Sequence, residues 1–181
     1  MKPIYEGNTI EGWMSNDELQ WLYETACTMT SILEVGSWMG RSTHALLSGC
    51  RGPVYAVDTF KGTPRAVEHV FAHNGGDVRA KLMENVGMFP NLIVIQADSA
   101  DAAKRFNPRS FEMIFIDGDH SYSMVMRDIK AWLPIARTML CGHDRHQDGV
   151  PQALKDCGYA WKEEAGTIWS IDPNAPPRSE T

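Results

Sequence analysis

Two short stretches of this chain carry the residue types that do chemistry at neutral pH. The first, IDGDHSY, holds Asp117, Asp119 and His120 at the end of an apolar run; the second, CGHDRH, holds His143 and Asp144, with His146 close behind. Carboxylates and imidazoles brought together from two neighbouring strand ends can bind a divalent cation. Oxygen-rich ligation favours Mg²⁺ or Mn²⁺, and an imidazole extends the choice to Fe²⁺ or Zn²⁺. A cation there would bind a hydroxyl and lower its pKa, making a nucleophile at neutral pH. His120 titrates near neutrality and suits proton removal, whereas Asp119 would need a proton already acidified by metal. Taken singly the residues have plainer readings, with Asp117 capping the next helix and His143 ordering a loop.

These side chains can meet only if the preceding elements form one sheet. Ile32 to Thr43, ILEVGSWMGRST, reads as a buried strand, a turn with Gly36 and Gly40, and a helix start. Such a junction offers free N–H groups and the positive end of a helix dipole, suited to a nucleotide, a dinucleotide or S-adenosylmethionine. Gly36 is expected to admit the ligand to the main chain, so that a bulky replacement abolishes binding and leaves the fold largely intact. A second strand, PVYAV, ends in Asp58, placed to accept bonds from ribose hydroxyls. Trp38 stands where a dinucleotide fingerprint needs a glycine, which disfavours an NAD-dependent oxidoreductase.

Further strands are expected at NLIVIQ, FEMIFI and Thr138 to Cys141, with Ser99 capping a short helix after the first of these. Helices are expected over Ser121 to Ile135 and Val150 to Cys157, and Tyr159 to Trp161 with Thr167 to Ile171 should form a closing antiparallel pair. Strands alternating with helices predict an α/β fold with a mostly parallel sheet, helices on both faces and an antiparallel carboxyl-terminal strand. In such a sheet Gly36, Asp58, Ser99, Asp117, His143 and Asp144 gather at the carboxyl edge. Residues 1–30 should be an arm and a helix opened by the capping box Ser15 to Glu18. The stretch 63–90 is longer than a minimal crossover, with helices expected over Pro64 to His73 and Asp77 to Val86, and reads as an insertion over the site. Residues 1–172 form one expected domain, and the proline-rich 173–181 a disordered tail.

The chain has 181 residues, 17 basic against 23 acidic, for a net charge of -6. That balance argues against nucleic acid or a membrane surface as partner. Four scattered cysteines lack metal or redox spacing and are expected as reduced thiols. With no secretory signal or membrane-length apolar run, a cytoplasmic location is expected.

The stretches EVGSWMGRST, VDTFKGTP, ADSADA, FIDGDHSYSMVMRDIKAWLP and GHD resemble a single Rossmann-like class I S-adenosylmethionine-dependent methyltransferase domain. The resemblance is to the small family of sugar O-methyltransferases and cephalosporin-hydroxylase-like proteins, over roughly residues 30 to 155. It implies that Glu34, Gly36 and Ser37 line the methionine part of the cofactor with Gly40 in the same turn, and that Ser42 lies near its carboxylate. It puts Asp58 on the ribose with Thr59 beside it, and Asp98 with Ser99 by the adenine. Asp117 would sit at the methyl-bearing end and bind a divalent cation, Mg²⁺ or Mn²⁺, together with His143 and Asp144. Asp119 or His120 would be the base. Relatives commonly carry a glycine pair where this chain has Arg137 and Thr138. The implied reaction is methyl transfer to a small hydroxylated acceptor. A metal-independent enzyme with a histidine base and a non-catalytic cofactor-binding protein stand as alternatives, and the chain could form a homo-oligomer.

Overall fold

A computed structural model describes residues 4–62 and 77–178. In chain order the elements are α1 (Asn16–Ala26), β1 (Ile32–Val35), α2 (Arg41–Gly49), β2 (Val54–Asp58), α3 (Val78–Val86), β3 (Leu92–Gln96) and α4 (Ser99–Ala103). There follow β4 (Phe111–Ile116), α5 (Tyr122–Trp132), β5 (Ala136–Gly142), α6 (Val150–Asp156), β6 (Trp161–Glu163) and β7 (Trp169–Ile171). The sheet order is β3-β2-β1-β4-β5-β7-β6. Strands β1 to β5 pair in parallel, and β7 runs antiparallel to both β5 and β6.

Period-two alternation along the central strands builds two cores. Ile32, Met113 and Phe115 face one side, where they meet Leu19 and Leu22 of α1, Leu46 of α2 and the apolar side of α3. Leu33, Val35, Ile114 and Ile116 face the other, against α4, α5 and α6, with Ile129 and the fully buried Trp132 at its centre. Both faces of β1 are therefore buried, as a strand within a parallel sheet requires. Truncating Trp132 to alanine would cost about 3 to 5 kcal/mol.

From β1 the chain moves outward to β3 and then crosses to β4 on the other side of β1, so strand order reverses between β1 and β4. In open sheets of this kind, ligands are generally accommodated at such a reversal, outside the strands' carboxyl ends. Asp117, following β4, donates its N–H to Val35 O at 2.8 Å, which locks the two loops edge to edge.

Several local expectations need adjustment. Asp98, not Ser99, caps α4, its side chain accepting from the amides of Ala100 and Asp101. Arg137 and Thr138 fall at a register shift, where Phe111 pairs with Ala136 but Met113 with Met139; Arg137 bonds Glu112 at 2.6 Å there. Residues 173–178, expected as a disordered tail, are tied down: Asn174 Nδ2 donates to Arg137 O and the Arg178 amide to Gly158 O. The helix expected over Pro64 to His73 and residues 179–181 lie outside the described residues. The helix expected over Asp77 to Val86 forms as α3, with Asp77 as its cap. All four cysteines are free, and among the described residues no helix is long and apolar enough to cross a membrane.

Candidate active site

The loop after β1 is held from below and from the side. Glu34, expected to line the cofactor's methionine part, lies beneath the loop instead, wholly buried, with its two oxygens accepting from Ser42 Oγ and Thr43 Oγ1 at 2.5 Å each. It braces the start of α2 against β1, and burial raises its carboxyl to about 7. Ser42, expected near the cofactor's carboxylate, spends its hydroxyl on that brace. Gly36 has φ +87°, and a Cβ there would collide with the Asp117 carbonyl. The glycine is thus required by the packing of the β1 loop on the β4 loop, and a bulky replacement would disturb the fold itself, contrary to expectation.

Asp58 ends β2 and accepts from the Trp38 amide at 2.8 Å through Oδ2 and from the Phe60 amide at 2.7 Å through Oδ1. Burial raises its carboxyl although those amides pull it down. The Ser37 and Thr59 amides also act on it, so the carboxylate is ringed by the N–H groups of the two loops. Thr59 follows, its hydroxyl accepting from the Lys61 amide. On the other flank Asp98 Oδ2 receives Arg127 at 3.0 Å, and Ser99 Oγ accepts from Trp132 Nε1 at 2.8 Å. The amino-terminal arm crosses above: Arg41 donates to the carbonyls of Ile10 and Met14, and Trp13 stacks on Trp38 with ring centres 4.6 Å apart.

At the ends of β4 and β5, Asp117, His120 and Asp144 direct ligand atoms that all lie within 4.8 Å of one another. His120 Nε2 faces Asp144 Oδ2 at 3.1 Å and Asp117 Oδ1 at 3.7 Å. The nitrogen is shielded from solvent and lies between the two carboxylates without a well-aligned hydrogen bond to either, a place that a shared proton or a bound cation would suit. Asp117 beside it raises the His120 imidazole above its ordinary value. Burial would raise the Asp117 carboxyl, but the His120 and His143 rings hold it below its usual range. Asp144 is fixed in a left-handed backbone conformation, φ +58°, and its Oδ1 accepts from Gln147. Asp119 turns to the helix instead, accepting from the Ser121 amide at 2.8 Å, and His146 is exposed.

His143 departs from the role of ligand. Its Nε2 meets Glu18 Oε1 at 3.1 Å, and its Nδ1 lies 3.3 Å from Asp144 Oδ2 and 3.6 Å from Asp117 Oδ1. Burial opposes the charged ring, but Asp117, Asp144 and Glu18 push its pKa up to about 12. Both ring nitrogens thus already face carboxylates, and His143 stands beside the cluster of Asp117, His120 and Asp144. Glu18 faces His143, which leaves the Asp117 and Asp144 carboxylates for one divalent ion. Mg²⁺ is commonly held by one or two carboxylates with waters and substrate completing its shell, which Asp117 and Asp144 fit.

Sequence reasoning missed Glu18 and Thr167, both of which reach this site. The pattern SNDE explains Glu18 fully as a helix cap, so nothing in the sequence marks it as buried.

A family model described as a methyltransferase domain matches residues 33–144, more than half of the chain. The chain belongs to that family, and its fold and family define a class I S-adenosylmethionine-dependent methyltransferase. No curated protein matches it. Among solved structures it is similar to an S-adenosylhomocysteine-bound methyltransferase from Podospora anserina, at 14% identity, with a TM-score of 0.62 over 88% of this chain and 79% of that one. It is also similar to an O-methyltransferase from Bacillus cereus in complex with S-adenosylhomocysteine, at 15% identity and TM-score 0.61 over 88% and 82%. A third is an S-adenosylmethionine-dependent O-methyltransferase from Thermotoga maritima, at 11% identity and TM-score 0.60 over 89% and 65%. At these identities the likeness is one of fold.

Proposed function

We propose that this chain methylates a hydroxyl of a small acceptor, such as a sugar or glycosylated metabolite, with a divalent cation held by Asp117 and Asp144 and with His120 as base. The convergence of these three side chains at the carboxyl ends of β4 and β5 is the observation that carries the reading. When bound, the cation would acidify the acceptor hydroxyl and fix its oxygen. The loop over Gly36 to Gly40 and the Asp58 carboxylate hold the cofactor, with its sulfonium methyl toward Asp117. Transfer is an in-line displacement: the acceptor oxygen bonds to the methyl carbon as the carbon–sulfur bond breaks, the electron pair stays on sulfur, and the proton passes to His120 Nε2. Positioning of the two reactants supplies most of the rate. His120 is preferred to Asp119 because Asp119 is engaged at the helix start.

A second reading, metal-independent transfer with the same base, is favoured by one feature: His143 already stands as a cation beside both carboxylates. Methyl transfer from labelled S-adenosylmethionine to a panel of sugars and catechols, in excess chelator and after added Mg²⁺, separates the two. Loss with chelator and rescue by Mg²⁺ supports the first; full activity in chelator supports the second.

A further inference from the structure

Glu18 belongs to the first helix, far in sequence from the strand ends, yet only 5% of its side chain is exposed. A capping-box glutamate needs no burial to do its work, because its partner amides lie at the open end of a helix. Here Oε2 accepts from Ser15 N at 2.8 Å and Ser15 Oγ at 2.7 Å, which completes the cap. Oε1 does something else: it meets His143 Nε2 at 3.1 Å and accepts from Thr167 N at 2.7 Å and Thr167 Oγ1 at 2.9 Å. The chain makes room for it, since Gly166, at φ +55°, lies where any Cβ would strike the Glu18 carboxylate. The His143 main chain is also fixed, its backbone carbonyl accepting from Trp169 Nε1 at 3.0 Å. A buried carboxylate is costly unless all its valences are satisfied, and the cap alone gives no reason to bury this one.

We propose that Glu18 is a positioning residue of the reaction site: it grips His143 from α1 so that Nδ1 is wedged toward both Asp117 and Asp144 and sets the spacing of those carboxylates. The metal part of this inference rests on the reading of Asp117 and Asp144 given under Proposed function. Outer partners of this kind commonly change metal affinity by about 10- to 100-fold when removed.

Two measurements test it. In the first, Mn²⁺ binding is followed by electron paramagnetic resonance for the wild type, Glu18→Gln and Ser15→Ala, each checked by thermal melting. Glu18→Gln should weaken Mn²⁺ binding about 10-fold or more, while Ser15→Ala, which removes the hydroxyl's bonds to the Glu18 amide and Oε2 but leaves Oε1 on His143 and Thr167, should lower the melting temperature and leave affinity within about two-fold of wild type. Glu18→Gln binding Mn²⁺ as tightly as wild type overturns the proposal. In the second, ¹⁵N-histidine spectra of the metal-free full chain should show a slowly exchanging, downfield His143 Nε2–H that disappears in Glu18→Gln. Its absence from the wild type overturns the proposal without any variant having to fold. If the wild type binds no Mn²⁺, the metal reading fails by itself, and the Nε2–H signal decides whether Glu18 holds His143.

Discussion

The amide of Trp38 donates to Asp58 Oδ2 across 2.8 Å, tying the loop after β1 to the end of β2. One carboxylate thus shapes the loop that is proposed to receive the cofactor. Asp58→Ala should weaken S-adenosylhomocysteine binding by about 10-fold or more, since it removes hydrogen bonds to a charged group worth about 1.5 to 3 kcal/mol each. Calorimetric titration checks this. Tryptophan fluorescence, to which Trp38 and its partner Trp13 contribute among six tryptophans, should change on cofactor binding in the wild type and less so in Trp38→Phe.

Gly36→Ala should destabilise the protein even without cofactor. The left-handed backbone alone costs a non-glycine residue about 1 to 2 kcal/mol, and the collision with the Asp117 carbonyl adds to that. A melting temperature equal to that of wild type would show that the two loops are not packed as described.

Stability should fall as pH rises from about 4.5 to 7. Glu34, raised by burial to about 7, and Asp128, raised by burial to about 6, each bind a proton in the native chain that the unfolded chain has already released in that range. Their native pKa values lie above the unfolded ones, so the folded state gains relative stability on acidification, on the order of 3 kcal/mol for Glu34. Denaturant titrations between pH 5 and pH 8 measure the slope, and Glu34→Gln should flatten it.

His120→Ala should lower methyl transfer by about 100-fold or more, the usual contribution of a general base. Asp119→Asn should change it far less and act mainly on stability, through the bond to the Ser121 amide. Comparable losses in both variants would reopen the choice of base.

The strand ends were legible because burial on both sheet faces writes an unbroken apolar run, and Ile32 to Val35 and Phe111 to Ile116 are such runs. Alternation with helices then forced Asp58, Asp117 and Asp144 onto one edge. What a carboxylate does at that edge was less legible. Glu34 and Ser42 look like ligand-facing residues but satisfy each other beneath the loop, because an acid buried within β1 must find donors. The orientation of His143 depends on Glu18, 125 residues away, and no local pattern reports a contact of that range. Asn174 escaped notice for the same reason: proline and polar residues suggest disorder unless a distant carbonyl, here that of Arg137, is waiting for them.

The most direct test of the central claim is a crystal structure grown with S-adenosylhomocysteine and Mn²⁺, with anomalous scattering used to locate the metal. The account predicts one Mn²⁺ peak between the carboxylates of Asp117 and Asp144, facing His120, with His143 turned to Glu18 and not ligating. A map with cofactor bound over Gly36 but no metal peak at those carboxylates, or a peak ligated by His143, would contradict it.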